Sequence, residues 1–535
     1  MKKRTKQLLS ILLCGCMLVS MAVGCGTSTK EITEEEGTET VKKGNNDAEE
    51  NTDAEENTSG EMEELTEIEV ALLCLAPVDS AVQERVAGHV NEYLEDAIHM
   101  RANIVWYDAA NYMAQVPMMI QAGETLDVIM FTPMPVTGYA SLMSQGQLMD
   151  ITEYIDTYGQ DIKAVLGETG LAATSKNGKI YGVGGQSCNY KHESIIMIKE
   201  ALEAANMLEK FEEMDSWSDL EEILLAVKEA GYGGVVNTDV AGTVVSPQPY
   251  LNGEDAFADA QWVDVAGDGN YQIYIDEATD QVKCFYTNES YKKSILRAGG
   301  WYEKGLIYKD ASTSEDFSDT QLKNGVGSCE IKQVEYGWDT ILNASIGKEV
   351  VTKQVVMDKL ATNTYTMFGF CVPITAQEPE AAVKFINEMY RANEAHTTLQ
   401  YGVEGTDWEM KEDGTAGYVG DADSAEFHMN GFPGNLMDVV AWQGSEPDLR
   451  ANQTAKNAEM KASKYMGFTI DNFEISAEVT AVQNVVNEYK PGLSAGIYGA
   501  NTEEKYNEFI EALEAAGIDK VVETYQKQLD AWLAE

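Results

Sequence analysis

From about residue 67 the spacing of apolar positions divides the chain into alternating strands and helices. Ile68 to Leu75 is a nearly continuous apolar run ending at Ala76-Pro77, as in a strand buried on both faces. Val82, Val86, Val90, Tyr93, Leu94 and Ala97 then recur at helical spacing. Ala102 to Tyr107 reads as a second strand, Tyr112 to Gln121 as a second helix and Leu126 to Phe131 as a third strand. Such a βαβαβ run predicts an α/β fold with a largely parallel sheet and helices on both faces. Sheets of this kind place ligands just beyond the carboxyl ends of their strands. That rule selects Ala76 to Ser80, which includes Asp79, and Thr132 to Pro135, which begins with Thr132 and Pro133.

Beyond the first sheet the pattern loosens. Gly178 to Gly185 reads as a strand and a flexible crossover between lobes; its glycines miss the G-x-G-x-x-G register of a dinucleotide site at Ser187. Ser218 to Glu221 has the form of a capping box, which makes Trp217 a packing residue. Trp262 to Phe285 reads as a hairpin with its turn at Gly267 to Asn270, a stretch lacking the register of a calcium loop. After Ala381 helices dominate, with core stripes through Val383 to Tyr390, Tyr506 to Leu513 and Ile518 to Trp532.

The first 66 residues have a different character. Lys2, Lys3, Arg4 and Lys6 precede an apolar run from Leu8 to Val23, and Gly24-Cys25 follows: an export signal too short to remain as a spanning helix. This segment resembles a bacterial lipoprotein lipobox, and the resemblance implies a diacylglyceryl group on Cys25. The stretch Leu13 to Cys16 is a rival, but cleavage there would leave an apolar core barely two helical turns long. A plain secretory leader is the remaining alternative. Residues 1–24 are thus expected to be a signal peptide. Residues 25–66, free of aromatic side chains and nearly repeating Asn46 to Glu50 at Thr52 to Glu56, are expected to be a disordered acidic tether.

Composition then limits the function. The roughly 510 residues left after cleavage exceed the ~250–300 at which a single core stops growing, so at least two lobes are expected. A net charge of −51 argues against nucleic acid and anionic lipid surfaces as partners. Cys74, Cys188, Cys284, Cys329 and Cys371 are widely spaced and odd in number, which reads as buried thiols with no disulfide framework. No G-x-S-x-G, H-E-x-x-H, P-loop or C-x-x-C motif is present, and the five histidines lack metal-ligand spacing. Neither catalysis nor a cofactor or metal is therefore expected. Aromatic residues are instead plentiful in loop-like segments, namely Tyr250, Trp262, Trp301, Trp338, Tyr365, Trp408 and Trp442. Flat rings offer apolar faces to sugar C–H groups while carboxylates and carboxamides hold hydroxyls.

Three successive motifs, Gly123 to Phe131, Gly146 to Thr152 and Asn177 to Val183, together with Ser216 to Glu221 and Phe370 to Asn387, are similar in order and spacing to extracellular solute-binding proteins of family 1, the sugar receptors of ABC importers. Tyr401 to Glu409 and Ala516 to Trp532 resemble the LplA-like lipoproteins, which carry a C-terminal extension. The resemblance implies a type II periplasmic-binding-protein-like fold, two α/β lobes joined by a hinge, with a helical C-terminal extension. Residues 67–535 would form this body, lobe one from about 67–185 and 326–370, lobe two from about 186–325 and 371–535. By position, Thr132 and Pro133 match a binding segment of lobe one, and Trp338 matches a sugar-stacking region. Local chemistry adds Asp79, Trp262, Trp301, Tyr365, Glu404, Trp408 and Trp442. The binding residues of maltose receptors are not reproduced. The expected protein is a non-catalytic receptor, lipid-anchored at the outer face of the bacterial cell membrane, that captures a carbohydrate, in particular an oligosaccharide, for ABC transporter permease subunits. The alternatives are a peptide or signal-molecule receptor on the same scaffold and a cell-surface glycan hydrolase.

Overall fold

The computed structural model describes residues 65–74, 77–134, 136–236, 250–266, 272–314, 316–420, 425–427 and 433–535. Cys25, the tether through Glu64 and the expected turn at Gly267 to Asn270 lie outside them.

The apolar pattern of the first stretch forms the elements it predicts. Strand β1 (Thr66–Cys74), helix α1 (Ser80–Ile98), strand β2 (Met100–Asp108), helix α2 (Ala109–Ala122) and strand β3 (Val128–Phe131) follow one another. Helix α1 starts where Asp79 Oδ1 accepts from Ala81 N at 2.9 Å, and it buries Val82, Val86, Val90 and Leu94. β1 pairs in parallel with β2 from Thr66↔Met100 to Cys74↔Asp108, and with β3 at Val70↔Val128. After helix α3 (Tyr139–Ser144), the short strand β4 (Val183–Gly184) ends this part of the chain.

Strand β5 (Lys191–Ile198) opens a second unit, which includes helices α4 (Trp217–Glu229) and α5 (Glu289–Glu303). Strand β6 (Cys329–Glu335), helix α6 (Trp338–Ile346) and strand β7 (Val350–Met357) follow. β6 and β7 flank β5 in a three-stranded antiparallel sheet. The pairing corrects one expectation: the segment from 326 does not return to lobe one, because β6 and β7 take both edges of β5 and bury their apolar faces in the second core.

The chain rejoins the first sheet with strand β8 (Gly369–Cys371), antiparallel to both β3 and β4, giving the order β2-β1-β3-β8-β4. Backbones crowd here: a Cβ on Gly369 would lie 2.3 Å from the Val183 carbonyl oxygen and 2.2 Å from the Phe131 ring. Helices α7 (Pro379–Glu388) and α8 (Glu394–Tyr401) pack on this core through Val383, Phe385, Ile386 and Leu399, so residues 371–401, expected in lobe two, belong with lobe one. Strands β9 (Trp408–Met410) and β10 (Ala416–Tyr418) form a small hairpin with its own cluster of Tyr401, Trp408, Ala416 and Val439. Helix α9 (Leu449–Asn457) then leads into α10 (Ser476–Ser494), α11 (Thr502–Ala516) and α12 (Ile518–Leu533), which pack on the second core.

Two local readings shift. Helix α4 is capped by Ser216, whose Oγ accepts from Asp219 N at 3.2 Å, two residues before the expected cap. The hairpin spans Ile273–Asp276 and Gln281–Cys284, its turn closed by Asp280 N donating to Asp276 O; Gln261–Trp262 pairs instead with Tyr250–Leu251. All five described cysteines are buried and unpaired, as their spacing implies.

One carboxylate ties the first lobe together. Asp127, 1% exposed, accepts from Glu69 N at 2.8 Å through Oδ2, and from Gln377 N at 2.8 Å and Glu378 N at 2.9 Å through Oδ1. It therefore joins β1 to the amino end of α7. Asp127→Ala strands three amides and is expected to lower stability by about 3 kcal/mol in urea unfolding, whereas Asp127→Asn, which keeps one acceptor, loses less. Equal losses in the two variants would contradict this role.

Candidate functional site

The chain passes between the two cores three times: after β4, between β7 and β8, and between β10 and α10. The third passage is stitched to both others. Gln186 N donates to Gly434 O at 2.8 Å, and Leu436 N to Gln186 O at 2.9 Å. Asn457 Oδ1 accepts from Asn189 N at 2.7 Å and Tyr190 N at 3.1 Å, while its Nδ2 donates to Ser187 O at 2.8 Å. Farther along, Leu360 N donates to Lys461 O at 2.9 Å and Ser463 N to Leu360 O at 2.7 Å. The start of β5 and the ends of β6 and β7 all meet these passages, as does the end of the first sheet where β3 stops and β8 begins. The groups at these strand ends form the candidate site.

On the first lobe, Thr132 is fully buried: its Oγ1 lies 2.6 Å from Thr137 Oγ1 and accepts from Met134 N at 3.2 Å. Thr132 shapes the loop, and the exposed Pro133 is presented at its tip. Asp79 is exposed, with Oδ1 engaged in capping α1. On the second lobe an aromatic group gathers around Tyr190. Its ring stands edge-on to His192 (6.2 Å, 85°) and to Tyr336 (6.4 Å, 84°), with Lys456 Nζ 5.2 Å from its centroid. Trp338, half-buried at the start of α6, follows at once, and its indole Nε1 meets no partner among the described residues.

Charges in this group are held in a dehydrated setting. Burial lowers the His192 pKa, partly opposed by Asp339, and Nδ1 lies 2.7 Å from Ser194 Oγ. Burial raises the carboxyl of Glu335, against the pull of Lys191 and Arg450. Asp358, just past β7, is pushed up to about 6 by burial, with Tyr250, Lys191 and Trp262 working the other way. Its Oδ2 accepts from Gln333 Nε2 at 2.8 Å. Trp262 is half-buried beside it, with Lys359 Nζ 5.2 Å from its ring. Such an arrangement offers ring faces and neutral or proton-sharing polar groups, the mix that suits an uncharged hydroxylated ligand. No group of three or more His, Cys, Asp or Glu suited to a metal ion occurs among the described residues.

Other expected contacts lie elsewhere. Trp301 is 1% exposed, donates Nε1 to Glu221 Oε2 at 2.8 Å and packs on Trp217, so it is core. Trp408 is also core: it sits in the third cluster, with Nε1 donating to Gly402 O at 3.1 Å. Both were read as loop aromatics because a single indole carries no periodicity. Tyr365 is buried in the first core close to Gly184, near the passages but closed off. Trp442 is half-buried against Tyr401 and Tyr418, at 4.7 and 4.9 Å. Glu404 is exposed on a turn whose Asp407 pairs with Arg85 of α1. Tyr190, His192, Tyr336, Arg450 and Asn457 went unread; the adjacency of Tyr336 to Trp338 after a strand was the available signal.

Residues 464–534, which contain α10 to α12, match a family model described as a domain of unknown function, DUF3502. A carbohydrate ABC transporter substrate-binding protein of Streptococcus pneumoniae serotype 4 is 22% identical over 460 residues, spanning 84% of this chain and 88% of its own. Among solved structures, the N-glycan transport solute binding protein NgtS of the same species superposes with a TM-score of 0.72 at 20% identity, covering 88% of this chain and 99% of its own. Its complex with Man5GlcNAc superposes at 0.62 with the same coverage. An HMO-binding, ABC-transporter-associated solute binding protein of Bifidobacterium longum infantis gives 0.60 at 16% identity, over 88% and 99% of the two chains. The class the fold defines is the type II periplasmic-binding-protein-like architecture, with a helical C-terminal unit.

Burial of the Asp358 carboxyl makes folding stability depend on pH. Its folded-state pKa lies above the ordinary 3.8, so the folded state binds the proton more tightly than the unfolded chain does. Stability is then highest at or below about pH 4 with respect to this group and falls, by about 3 kcal/mol, as pH rises through about 6. Asp358→Asn keeps an acceptor for Gln333 and is expected to flatten that part of the pH–stability curve. Thermal unfolding from pH 4 to 7 measures it; parallel curves for both proteins would refute the assignment.

Proposed function

We propose that this chain is the solute-binding receptor of an ABC importer, capturing a neutral oligosaccharide between its two lobes and delivering it to a membrane permease. The observation that carries the reading is the aromatic and dehydrated polar group of Tyr190, Tyr336, Trp338, Trp262 and Asp358 at strand ends beside three interlobe passages. Its supporting context is fold likeness over 88% of the chain to proteins whose names refer to N-glycans and HMO. From the first lobe, the exposed Pro133 and Asp79, which follow β3 and β1, are the contacts this reading expects. Bound sugar bridges the lobes and selects the closed state by its differential affinity, and the permease reads closure. No step in this cycle requires a reaction, so the receptor is non-catalytic.

The leader and Cys25 supply the location in this reading. No helix among the described residues is long and apolar enough to cross a membrane. Two acyl chains on Cys25, at about 0.8 kcal/mol per buried CH₂, hold the protein at the outer face of the membrane, and the acidic tether gives it reach.

Calorimetric titration with neutral oligosaccharides should show binding at one high-affinity site in the wild type. Trp338→Ala is expected to weaken it on the order of 30-fold, about 2 kcal/mol, as for a central aromatic anchor. Micromolar binding of peptides with no response to any saccharide would replace the carbohydrate assignment.

A further inference from the structure

The turn that presents Trp338 is fixed from outside its own sheet. β6 ends at Glu335 and α6 begins at Trp338, so Tyr336 and Gly337 alone turn the chain. Gly337 takes a φ of 82°, and a Cβ there would lie 2.2 Å from Leu449 Cδ1. Glycine accommodates both the left-handed backbone and that close approach, but it offers no side chain to cap α6. The backbone of Tyr336 is held instead. Its N–H donates to Tyr190 O at 3.1 Å, and its carbonyl accepts from Gln453 Nε2 at 3.0 Å.

Leu449 and Gln453 lie one turn apart on α9, and the same helix reaches the rest of the aromatic group. Asn457, a further turn along, holds residues 187–190, and Lys456 stands over the Tyr190 ring. Residues 449, 453, 456 and 457 recur at helical spacing, which places them on one face. That face meets the Tyr336–Trp338 turn toward its amino end and the first passage at its carboxyl end. Gln453 is 1% exposed, and its Oε1 accepts from Arg450 Nη1 at 3.0 Å, so the carboxamide is oriented with Nε2 toward the Tyr336 carbonyl. Arg450 is placed in turn between the end of β6 and the third cluster. Burial raises the pKa of Glu335, opposed by Lys191 and Arg450, and that of Tyr401, opposed by Arg450.

We infer that Gln453 is a positioning residue of the ligand site: through the Tyr336 carbonyl it sets the direction in which Trp338 faces the interlobe space, and Arg450 holds Gln453 to that task. The inference rests on the saccharide reading and deepens it. A stacking ring selects among sugars by the angle and distance of its face, so the groups that lock its backbone determine which sugar fits.

The test uses the full chain labelled with 5-fluorotryptophan, the Trp338 resonance being assigned by its loss in Trp338→Phe. Gln453→Met keeps the side-chain length but removes the carboxamide. It should move or broaden the Trp338 resonance in the ligand-free protein while those of the core residues Trp217 and Trp301 stay in place. Calorimetric titration with mannotriose, chitotriose and maltotriose should show that whichever binds the wild type binds this variant about fivefold or more weakly, the loss expected for one hydrogen bond. Arg450→Met, at a half-buried position, should change both readouts in the same direction by less, and it carries the test if Gln453→Met does not fold. The inference is overturned if the Trp338 resonance of the folded variants matches the wild type. It is equally overturned if a saccharide that binds the wild type binds them as tightly, as a Gln453 that only stabilised the fold would allow. Binding of none of the three by the wild type counts against the saccharide reading instead, and the resonance then decides the positioning role alone.

Discussion

The side chain on which the two-lobed arrangement turns is the carboxamide of Asn457. A polypeptide that crosses between two cores three times must satisfy the backbone groups of each passage without fusing the cores into one. Asn457 does this for the first passage by accepting two amides and donating to one carbonyl, all within residues 187–190. A carboxamide is suited to the task because it is both donor and acceptor and carries no charge to desolvate. At the second passage the chain uses ordinary ladder bonds instead, between Leu360 and the segment 461–463. Three parallel tethers result, two of them joined through the third. The lobes are thus connected by hydrogen-bonded chain, while each keeps its own apolar core.

The location of the candidate site follows from this wiring. Strand ends leave backbone groups and side chains unpaired by the sheet, and here the ends of both sheets point toward the passages. Tyr190 holds two positions at once: its amide is fixed by Asn457 and its ring organises His192 and Tyr336. Any rotation at the first passage therefore moves the aromatic group with it. Burial that raises Asp358 and Glu335 while lowering His192 makes these side chains costly to charge. Such a surface repels ions less by charge than by dehydration, and a hydroxylated neutral ligand loses least on entering it.

Much of the first lobe was legible because its signals are local. Val82, Val86, Val90 and Leu94 define one helical face wherever the helix sits, and Asp79 caps that helix using only neighbouring atoms. The strands at 66–74, 100–108 and 128–131 were likewise readable from apolar runs. What the sequence concealed was long-range pairing. Nothing local distinguishes a β6 that returns to the first sheet from one that flanks β5; the choice depends on which edge is free and which apolar face fits. Individual aromatics were the least legible. Trp301 and Trp408 share loop-like surroundings with Trp338, but a distant carboxylate or carbonyl claims their indole N–H groups and their rings are buried, whereas Trp338 stays half-buried beside the passages.

That difference also bears on how a binding protein can be stable and still receptive. A buried donor such as the Trp338 indole lowers the stability of the empty protein relative to one in which it is satisfied. Ligand that satisfies such a group recovers that free energy as affinity, whereas at core positions such as the Trp106 and Trp217 indoles the cost is offset by the packing around them. Asp127 is the opposite case: three amides saturate its carboxylate, nothing is left for a ligand, and its effect is entirely on the fold. A saturated carboxylate such as Asp127 therefore belongs to the framework, a distinction that its hydrogen-bond partners make and its residue type alone does not.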